Sequence, residues 1–247
     1  MLSLDTATYS YEPFPIGCIT DVFPKSTYAE LCRTYPDVSL FKHMPKLGNK
    51  YSLAERNNPE QYEKFLNGQS LWRDFYVFVK SDQFIRGCIR HLASRNIDLG
   101  IGDFSVVSKP GRKYSNPWAR LMERTELRAR FEFSMMNGQG GHILPHTDEP
   151  KKIITLVMTM VQPGEWKDEW GGGTQVCWPK DRTKSYNFVN KYMQFDEVDV
   201  LSSYGFVPNQ CIIFVKTYNS WHQVAPMQAP DPSILRRTLT INIEKFG

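Results

Sequence analysis

Two histidines and one aspartate in the second half of the chain have the types and spacing of metal ligands. His146 and Asp148 form an H-x-D triplet directly before a predicted strand, and His222 follows another predicted strand much later in the chain. Two imidazoles and one carboxylate can occupy one face of an octahedral ion such as Fe(II), which leaves three positions open for other ligands. Because side chains alternate along a strand, His146 and Asp148 are expected to leave the same side of an extended backbone.

An arginine that follows His222 is suited to bind the far end of a dicarboxylate. Arg236 begins a predicted strand that continues through Ile241. A dicarboxylate co-substrate such as 2-oxoglutarate chelates a metal with one end and needs a buried cation for the other, and a guanidinium binds a carboxylate bidentately. Strand alternation predicts that Arg236, Thr238 and Thr240 share one face of the sheet and that Arg237 points the other way, so that one of the two arginines enters the barrel.

Short strands and preceding helices are the elements that must position these side chains. From about residue 129, β-branched residues alternate with polar ones, and Gly-rich and Asn-Gly turns separate the runs. This pattern predicts strands at 130–136, 152–161, 174–178, 211–216 and 237–243. The first half predicts helices at 25–32 and 59–66 and a third that Ser81 or Asp82 caps.

This order of elements predicts an α+β fold with a jelly-roll core and N-terminal helices packed against one sheet. No linker divides the sequence, so we expect one domain over residues 1–247. Within it, residues 1–128 are expected to be mainly a helical support and lid region, and residues 129–247 the jelly-roll core. The polar segment 46–58 is expected to be a loop, and it and the segment 110–117 are candidate lids.

Composition and charge exclude several classes of protein. Hydrophobic residues make up 41% and charged residues 23% of the 247 residues, which argues against disorder. A net charge of +4 is too mild for a dedicated nucleic-acid binder, and no apolar run is long enough for a membrane span. The N-terminus shows no secretory signal, and five cysteines without a CxxC pair argue against disulfides and thiolate zinc sites. A reduced, cytoplasmic protein is expected, and its oligomeric state stays open.

Four motifs in a fixed order connect this chain to a known family. They are HTDEPKKIITLVMTM, WGGGTQV, CIIFVKTYNSWHQVAPM and RRTLTINI. From about residue 130 to residue 244 the chain resembles the Fe(II)/2-oxoglutarate-dependent dioxygenases, in particular their prolyl-4-hydroxylase-like branch. The resemblance implies a double-stranded β-helix and a requirement for Fe(II), 2-oxoglutarate and O₂. It also implies that His146, Asp148 and His222 are the catalytic iron ligands and that Arg236 binds the far carboxylate of 2-oxoglutarate.

The resemblance further implies which hydroxyl groups face the co-substrate. Thr155 is expected in the same pocket, and Thr238 is a second candidate for a co-substrate contact. Where prolyl hydroxylases often carry tyrosines near the co-substrate, this chain has Met136 and Thr159. The hydroxyl that assists Arg236 is therefore expected from a threonine, and specificity for proline is not expected.

Three functions fit these residues. The first is a dioxygenase that hydroxylates a C–H bond of an unidentified peptidyl side chain, amino acid or sugar, with release of succinate and CO₂. The alternative is a catalytically inactive jelly-roll module that binds a peptide or sugar, because a fold alone does not fix a function. A zinc hydrolase with the same three ligands is the third. The intact triad argues against the inactive module, and Arg236 argues against the hydrolase, which needs no cation at that depth.

Overall fold

The computed structural model describes residues 2–108 and 125–246, and the candidate lid at 110–117 lies outside them. The helices of the described residues are α1 (Lys25–Arg33), α2 (Pro59–Gly68), α3 (Ser70–Lys80) and α4 (Asp82–Ala93). The strands are β1 (Thr8–Ser10), β2 (Ile16–Ile19), β3 (Lys42–Met44), β4 (Lys50–Ala54), β5 (Phe104–Val106), β6 (Thr125–Asn137), β7 (Ile143–His146), β8 (Lys152–Thr159), β9 (Thr174–Pro179), β10 (Val198–Tyr204), β11 (Cys211–Val215), β12 (His222–Val224) and β13 (Leu235–Lys245). Among the described helices, none combines the length and apolar character needed to cross a membrane.

Two sheets form the core of the fold. The large sheet has the order β1-β2-β11-β8-β13-β6-β4-β3, with β5 added in parallel beside β6, and the small sheet has the order β10-β9-β12-β7. All other pairings are antiparallel among the described residues. From β6 to β13 the chain passes back and forth between the two sheets, with only the β9–β10 pair consecutive within one sheet, as in a double-stranded β-helix. The predicted α+β jelly-roll fold is therefore confirmed, and each of the five predicted strands corresponds to an observed one.

The large sheet has an apolar outer face and a polar inner face. On β6, Phe131 and Phe133 point outward and are buried, whereas Glu132 and Ser134 point into the barrel. The outer face packs against the helices, where the ring of Trp72 in α3 meets that of Phe133 edge-on at 4.9 Å between centroids. Burial of each such large side chain stabilises the fold by about 1.5–3 kcal/mol. The helices therefore support the sheet on one side and leave its other side for a site.

The predicted cap of α4 is present. The Ser81 hydroxyl oxygen accepts a hydrogen bond from the Phe84 backbone N–H at 3.2 Å. Ser81→Ala is expected to lower the free energy of unfolding by about 1 kcal/mol, because one N–H at the helix start loses its acceptor. Urea unfolding measures this change. Ser70→Ala, at the exposed first residue of α3, is the control and is expected to change stability by less than about 0.5 kcal/mol. An equal loss in both variants would contradict the capping role.

The structure corrects two predictions for the first half. The segment 46–58 is not a loop throughout, because Lys50–Ala54 forms β4 and pairs with β6. The sequence of β4 lacks the apolar residues expected on the inner face of a strand, because Lys50 and Ser52 point into a polar barrel, where both contact Glu132. Helix α3 was not predicted. Its sequence is rich in aromatic residues, and the packing of its buried face against β6 accounts for its stability.

The first half of the chain contributes strands as well as helices. β1 and β2 extend the large sheet beyond β11, and β3 and β4 extend it beyond β6. The helices therefore lie within a segment that also completes the sheet. The single domain over 1–247 and its division at residue 128 remain predictions.

Candidate metal centre and its cavities

The two histidines of the triad lie opposite each other on neighbouring strands of the small sheet. His146 ends β7, His222 begins β12, and the two are register partners. Their ring centroids are 4.3 Å apart. The candidate ligand atoms of His146, Asp148 and His222 all lie within 4.8 Å of one another, and all three residues are buried. This cluster has the geometry to hold one metal ion.

Asp148 reaches the cluster by a turn and not by strand alternation. β7 ends at His146, and Asp148 has a φ of +70°, in the left-handed region that is uncommon for residues other than glycine. The prediction of an extended H-x-D triplet is therefore wrong, although both side chains do point to one place. The Asp148 Oδ1 atom lies 3.5 Å from His146 Nε2. Backbone strain of this kind concentrates at functional sites.

Backbone carbonyls fix which nitrogen of each histidine faces the cluster. The Nδ1 of His146 lies 2.9 Å from the carbonyl oxygen of Leu144, and the Nδ1 of His222 lies 2.9 Å from that of Ser220. A carbonyl only accepts, so each Nδ1 carries a proton, and Nε2 is the nitrogen of each ring that is left for a metal. Burial, with the neighbouring His146, lowers the pKa of His222 to about 3. Its imidazole is therefore neutral, as a metal ligand must be.

Two side chains of the large sheet hold the Asp148 carboxylate. Lys152 donates to Oδ1 at 2.6 Å, and the Thr155 hydroxyl lies 3.1 Å from Oδ2 and 3.0 Å from the Asn242 side-chain oxygen. Burial alone would raise the pKa of Asp148, but the Lys152 ammonium outweighs it and holds this pKa well below its usual range. The carboxylate is thus ionised and fixed in place.

An inner cavity of about 120 Å³ connects the triad to Arg236 inside the barrel. It brings together every site residue that the sequence suggested, namely His146, Asp148, Thr155, His222, Arg236 and Thr238. Thr155 lines this cavity, but its hydroxyl is already engaged by Asp148 and Asn242. Thr238 lies on the same face of β13 as Arg236, and its hydroxyl is 3.4 Å from the Ser134 carbonyl oxygen. The cavity is therefore bounded by metal-ligand atoms at one end and a guanidinium at the other.

Arg236 is a buried cation without a carboxylate partner among the described residues. It is 4% exposed, its Nε donates to the Gly172 carbonyl at 2.5 Å, and its guanidinium lies over the Phe206 ring at 4.5 Å. Burial lowers the pKa of Arg236 to about 9, so it stays charged at neutral pH. Arg237 points the other way, pairs with Glu165 and lies over the Tyr35 ring. The two arginines therefore point to opposite faces of the sheet, as alternation predicts, and Arg236 is the one inside the barrel.

Glycine 172 is a functional residue that the sequence analysis missed. Its φ is +86°, and a Cβ there would lie 3.0 Å from the Trp166 ring and 3.3 Å from Arg236 Cδ. Only glycine lets this backbone approach the arginine closely enough for its carbonyl to orient the guanidinium. The WGGGT motif carried this signal, but it gives no indication of which strand the loop would contact.

Gly172→Ala is expected to weaken 2-oxoglutarate binding severalfold, because a methyl group displaces the Arg236 side chain. Gly171→Ala is the matched control: its φ is +74°, but no atom lies within 4 Å of a Cβ built there. Both substitutions strain the backbone by about 1–3 kcal/mol, which thermal unfolding would show. Isothermal titration with 2-oxoglutarate separates the two effects. Equal affinities in the two variants would contradict the role of Gly172.

The positions that replace the family's tyrosines differ in their surroundings. Met136 lies directly opposite Arg236 in the sheet and lines the inner cavity. Thr159 is buried opposite Thr238. An aromatic residue that the sequence analysis missed, Tyr192, instead stacks on the triad, with its ring centroid 5.3 Å from that of His146. It comes from a loop between β9 and β10 that has no recognisable motif.

A jelly roll with two imidazoles and a carboxylate facing one cavity defines a candidate metal-dependent enzyme. Residues 131–244 match the family model of the 2OG-Fe(II) oxygenase superfamily. The resemblance seen in the sequence is thereby confirmed at the level of the superfamily. The match and the triad make the chain a candidate 2-oxoglutarate-dependent Fe(II) oxygenase, a class that uses Fe(II), 2-oxoglutarate and O₂. No curated protein matches the chain significantly.

Solved structures resemble the chain at low identity. A prolyl-4-hydroxylase from Pseudomonas putida is 13% identical, with a TM-score of 0.47, and the match covers 98% of this chain and 94% of that one. A prolyl hydroxylase from Trichoplax adhaerens, solved with a peptide fragment of the hypoxia inducible factor oxygen degradation domain, is 13% identical, with a TM-score of 0.47 and coverage of 93% and 83%. The epimerase SnoN from nogalamycin biosynthesis is 10% identical, with a TM-score of 0.48 and coverage of 93% and 76%. Similarity at this level carries no information on substrate.

Proposed function

We propose that this protein hydroxylates a C–H bond of a small-molecule or peptide substrate and converts 2-oxoglutarate to succinate and CO₂. One observation carries the proposal: Arg236 is buried and charged, has no carboxylate partner among the described residues, and shares a cavity with the triad. A buried cation is costly unless it is paired, so a ligand carboxylate at this place offsets that cost. We assign the far carboxylate of 2-oxoglutarate to Arg236.

The triad fits Fe(II) by the chemistry of its donors. His146 and His222 offer their Nε2 atoms, and Asp148 offers an ionised oxygen that neutralises part of a divalent charge. When bound, Fe(II) with 2-oxoglutarate and O₂ supplies the oxidising chemistry. Lys152 and Thr155 hold the carboxylate, and the carbonyls of Leu144 and Ser220 hold the rings, so that the ligand set is arranged in advance.

The inner wall of the cavity positions the co-substrate. Phe206 covers one face of the Arg236 guanidinium, and the Gly172 carbonyl binds its Nε, so the remaining N–H groups point toward the cavity. Thr238 is the nearest hydroxyl along the inner face of β13, and we assign to it a contact with the same carboxylate. Met136, opposite Arg236, contributes an apolar wall that limits access of water.

The alternatives are a binding module without turnover and a zinc hydrolase. An inactive module has no need of a carboxylate held by both Lys152 and Thr155, and a hydrolase has no need of Arg236. Among substrates, we propose a group other than proline, since two tyrosines of the prolyl hydroxylases are replaced here by Met136 and Thr159. A reduced, cytoplasmic setting is supported by the five cysteines, all of which are free thiols.

The test is to incubate pure protein with Fe(II), 2-oxoglutarate and O₂ and to screen peptide and metabolite pools for succinate release. We expect succinate formation to rise with one pool and to equal the oxygenated product mole for mole. Proline-rich peptides are expected to stimulate it little. Succinate release that no pool and no condition raises above a boiled-protein blank would favour the binding module. Hydroxylation of a proline-rich peptide at the rate of the best substrate would contradict the exclusion of proline.

A further inference from the structure

A second, outer cavity adjoins the candidate metal site on its open side. It has a volume of about 400 Å³ and lies between β4, near one end of the large sheet, and β7, at the edge of the small sheet. It shares His146, Asp148 and Lys152 with the inner cavity, so a molecule bound in it lies next to the triad. Its size falls in the range of about 300–1,000 Å³ that is typical of small-molecule sites. It is the natural place for the substrate if the proposed function holds.

The floor of this outer cavity is polar, but its charges are already paired. Lys50 donates to Glu132 at 2.7 Å, and Arg130 lies 3.1 Å from Glu132 and 3.4 Å from Glu244. Burial opposes ionisation of Glu132, but Lys50 and Arg130 outweigh it and lower its pKa to about 2. With Asn242, these groups offer hydrogen bonds to a ligand without attracting one sign of charge.

The rim, in contrast, has unpaired positive charge. Lys46 and Arg56 line the cavity, are exposed, and have no carboxylate within ion-pair distance among the described residues. The acidic residue of the rim, Glu149, lies 3.9 Å from Arg130 and is thereby partly compensated. Lys46 and Arg56 come from separate turns on either side of β4. The uncompensated charge at the mouth of the outer cavity is therefore positive.

Both turns are held in place. Gly48, with a φ of +68°, packs so closely on the backbone just before β7 that a Cβ there would lie 1.9 Å from the His142 carbonyl oxygen. This contact fixes the turn that carries Lys46. After β4, the Asn58 side chain accepts from the Ala54 N–H at 3.1 Å and donates to the Leu40 carbonyl at 2.6 Å, which fixes the turn that carries Arg56. The backbone that carries each of the two cations is therefore held in place by contacts with the rest of the fold.

We infer that the outer cavity binds a hydrophilic small-molecule substrate with an anionic group, and that Lys46 and Arg56 bind that group. The inference rests on the proposed function and narrows its substrate class. The paired floor serves the hydroxyl, amide or amino groups of such a molecule, and the Tyr192 ring supplies one flat wall beside His146. Sugar acids and N-acylated amino acids have this chemistry, and their neutral analogues lack only the charge.

The experiment compares matched probes on one protein preparation. The chain is loaded with Mn(II) and saturating 2-oxoglutarate without O₂, so that no turnover occurs and the co-substrate site is filled. Calorimetry then measures binding of D-glucuronate against D-glucose, and of N-acetyl-L-leucine against its amide. The anionic member of at least one pair is expected to bind about tenfold more tightly than its neutral partner, a difference of about 1.4 kcal/mol. Equal binding within both pairs, or no binding of either anion, overturns the inference.

Two double variants locate the effect. Lys46→Gln with Arg56→Gln is expected to weaken binding of the anionic probe about fivefold, as for partly exposed ion pairs, and to leave the neutral probe unchanged. Lys64→Gln with Arg90→Gln removes the same charge from the exposed faces of α2 and α4 and is expected to change neither. Equal losses in the two double variants would mean that net charge and not the rim attracts the anion, which overturns the assignment.

Separate measurements test the proposed function independently of the substrate class. Titration of 2-oxoglutarate into the Mn(II)-loaded wild type tests the co-substrate site, and succinate release tests turnover. If 2-oxoglutarate fails to bind, the proposed function fails, whatever the probes show. If 2-oxoglutarate binds but the charge preference is absent, the proposed function stands and the inference on substrate class fails.

Discussion

His222→Ala is expected to abolish Fe(II) binding and succinate formation together. The substitution removes one of two imidazoles from a three-residue ligand set, and His222 is the one histidine, cysteine or carboxylate residue of β12. Isothermal titration or Fe(II) retention after gel filtration measures the binding, and succinate release measures the activity. His146→Ala is expected to behave in the same way, and Asp148→Ala nearly so, because the two histidines alone are a weak site.

The control for this experiment is His91→Ala. His91 lies in α4, away from the cavities, and its ring nitrogen is 3.1 Å from the Tyr9 hydroxyl. It is expected to leave Fe(II) binding unchanged and to cost some stability. Circular dichroism of each variant shows that the fold persists. Full Fe(II) binding and turnover by a folded protein without His222 would mean that the distal ligand is another residue.

The residue types of the site could be predicted from the sequence, because metal-ligand chemistry restricts them strongly. Alternation predicted that Arg236 and Arg237 face opposite ways, the family resemblance indicated which of them is inward, and the structure has Arg236 inside the barrel and Arg237 outside it. The H-x-D geometry could not be predicted from alternation, because the chain leaves β7 at His146 and turns at Asp148. A turn with a positive φ at a residue other than glycine has no signal in a single sequence.

The residues that support the site could not be predicted from the sequence for a different reason. Gly172, Phe206 and Tyr192 come from loops and join the site only through tertiary packing. The strand β4 was mistaken for a loop because its inward residues are polar. In this protein the interior of the barrel contains the site, so the usual pattern of buried apolar residues is reversed on one face of the large sheet.

Arg236→Ala is expected to weaken 2-oxoglutarate binding by well over tenfold. Removal of one partner of a buried charge-assisted pair costs about 2–5 kcal/mol, much of it from the carboxylate that is left unpaired. Arg236→Lys is expected to restore only part of the affinity, because an ammonium keeps the charge but lacks the planar fork and the contact with Phe206. Anaerobic titration of 2-oxoglutarate into the Mn(II)-loaded variants measures each loss.

Arg237→Ala is the matched control for Arg236→Ala, since it removes the same side chain one residue further along the same strand. Arg237 faces Glu165 and the Tyr35 ring on the outside of the sheet, so its loss is expected to lower stability and to change 2-oxoglutarate affinity little. Equal losses of affinity in the two variants, or a larger loss at Arg237, would place the co-substrate carboxylate outside the inner cavity. Only the inward guanidinium shares a cavity with the triad. The difference in affinity between the two variants therefore tests both which arginine of β13 faces this cavity and whether that arginine binds 2-oxoglutarate.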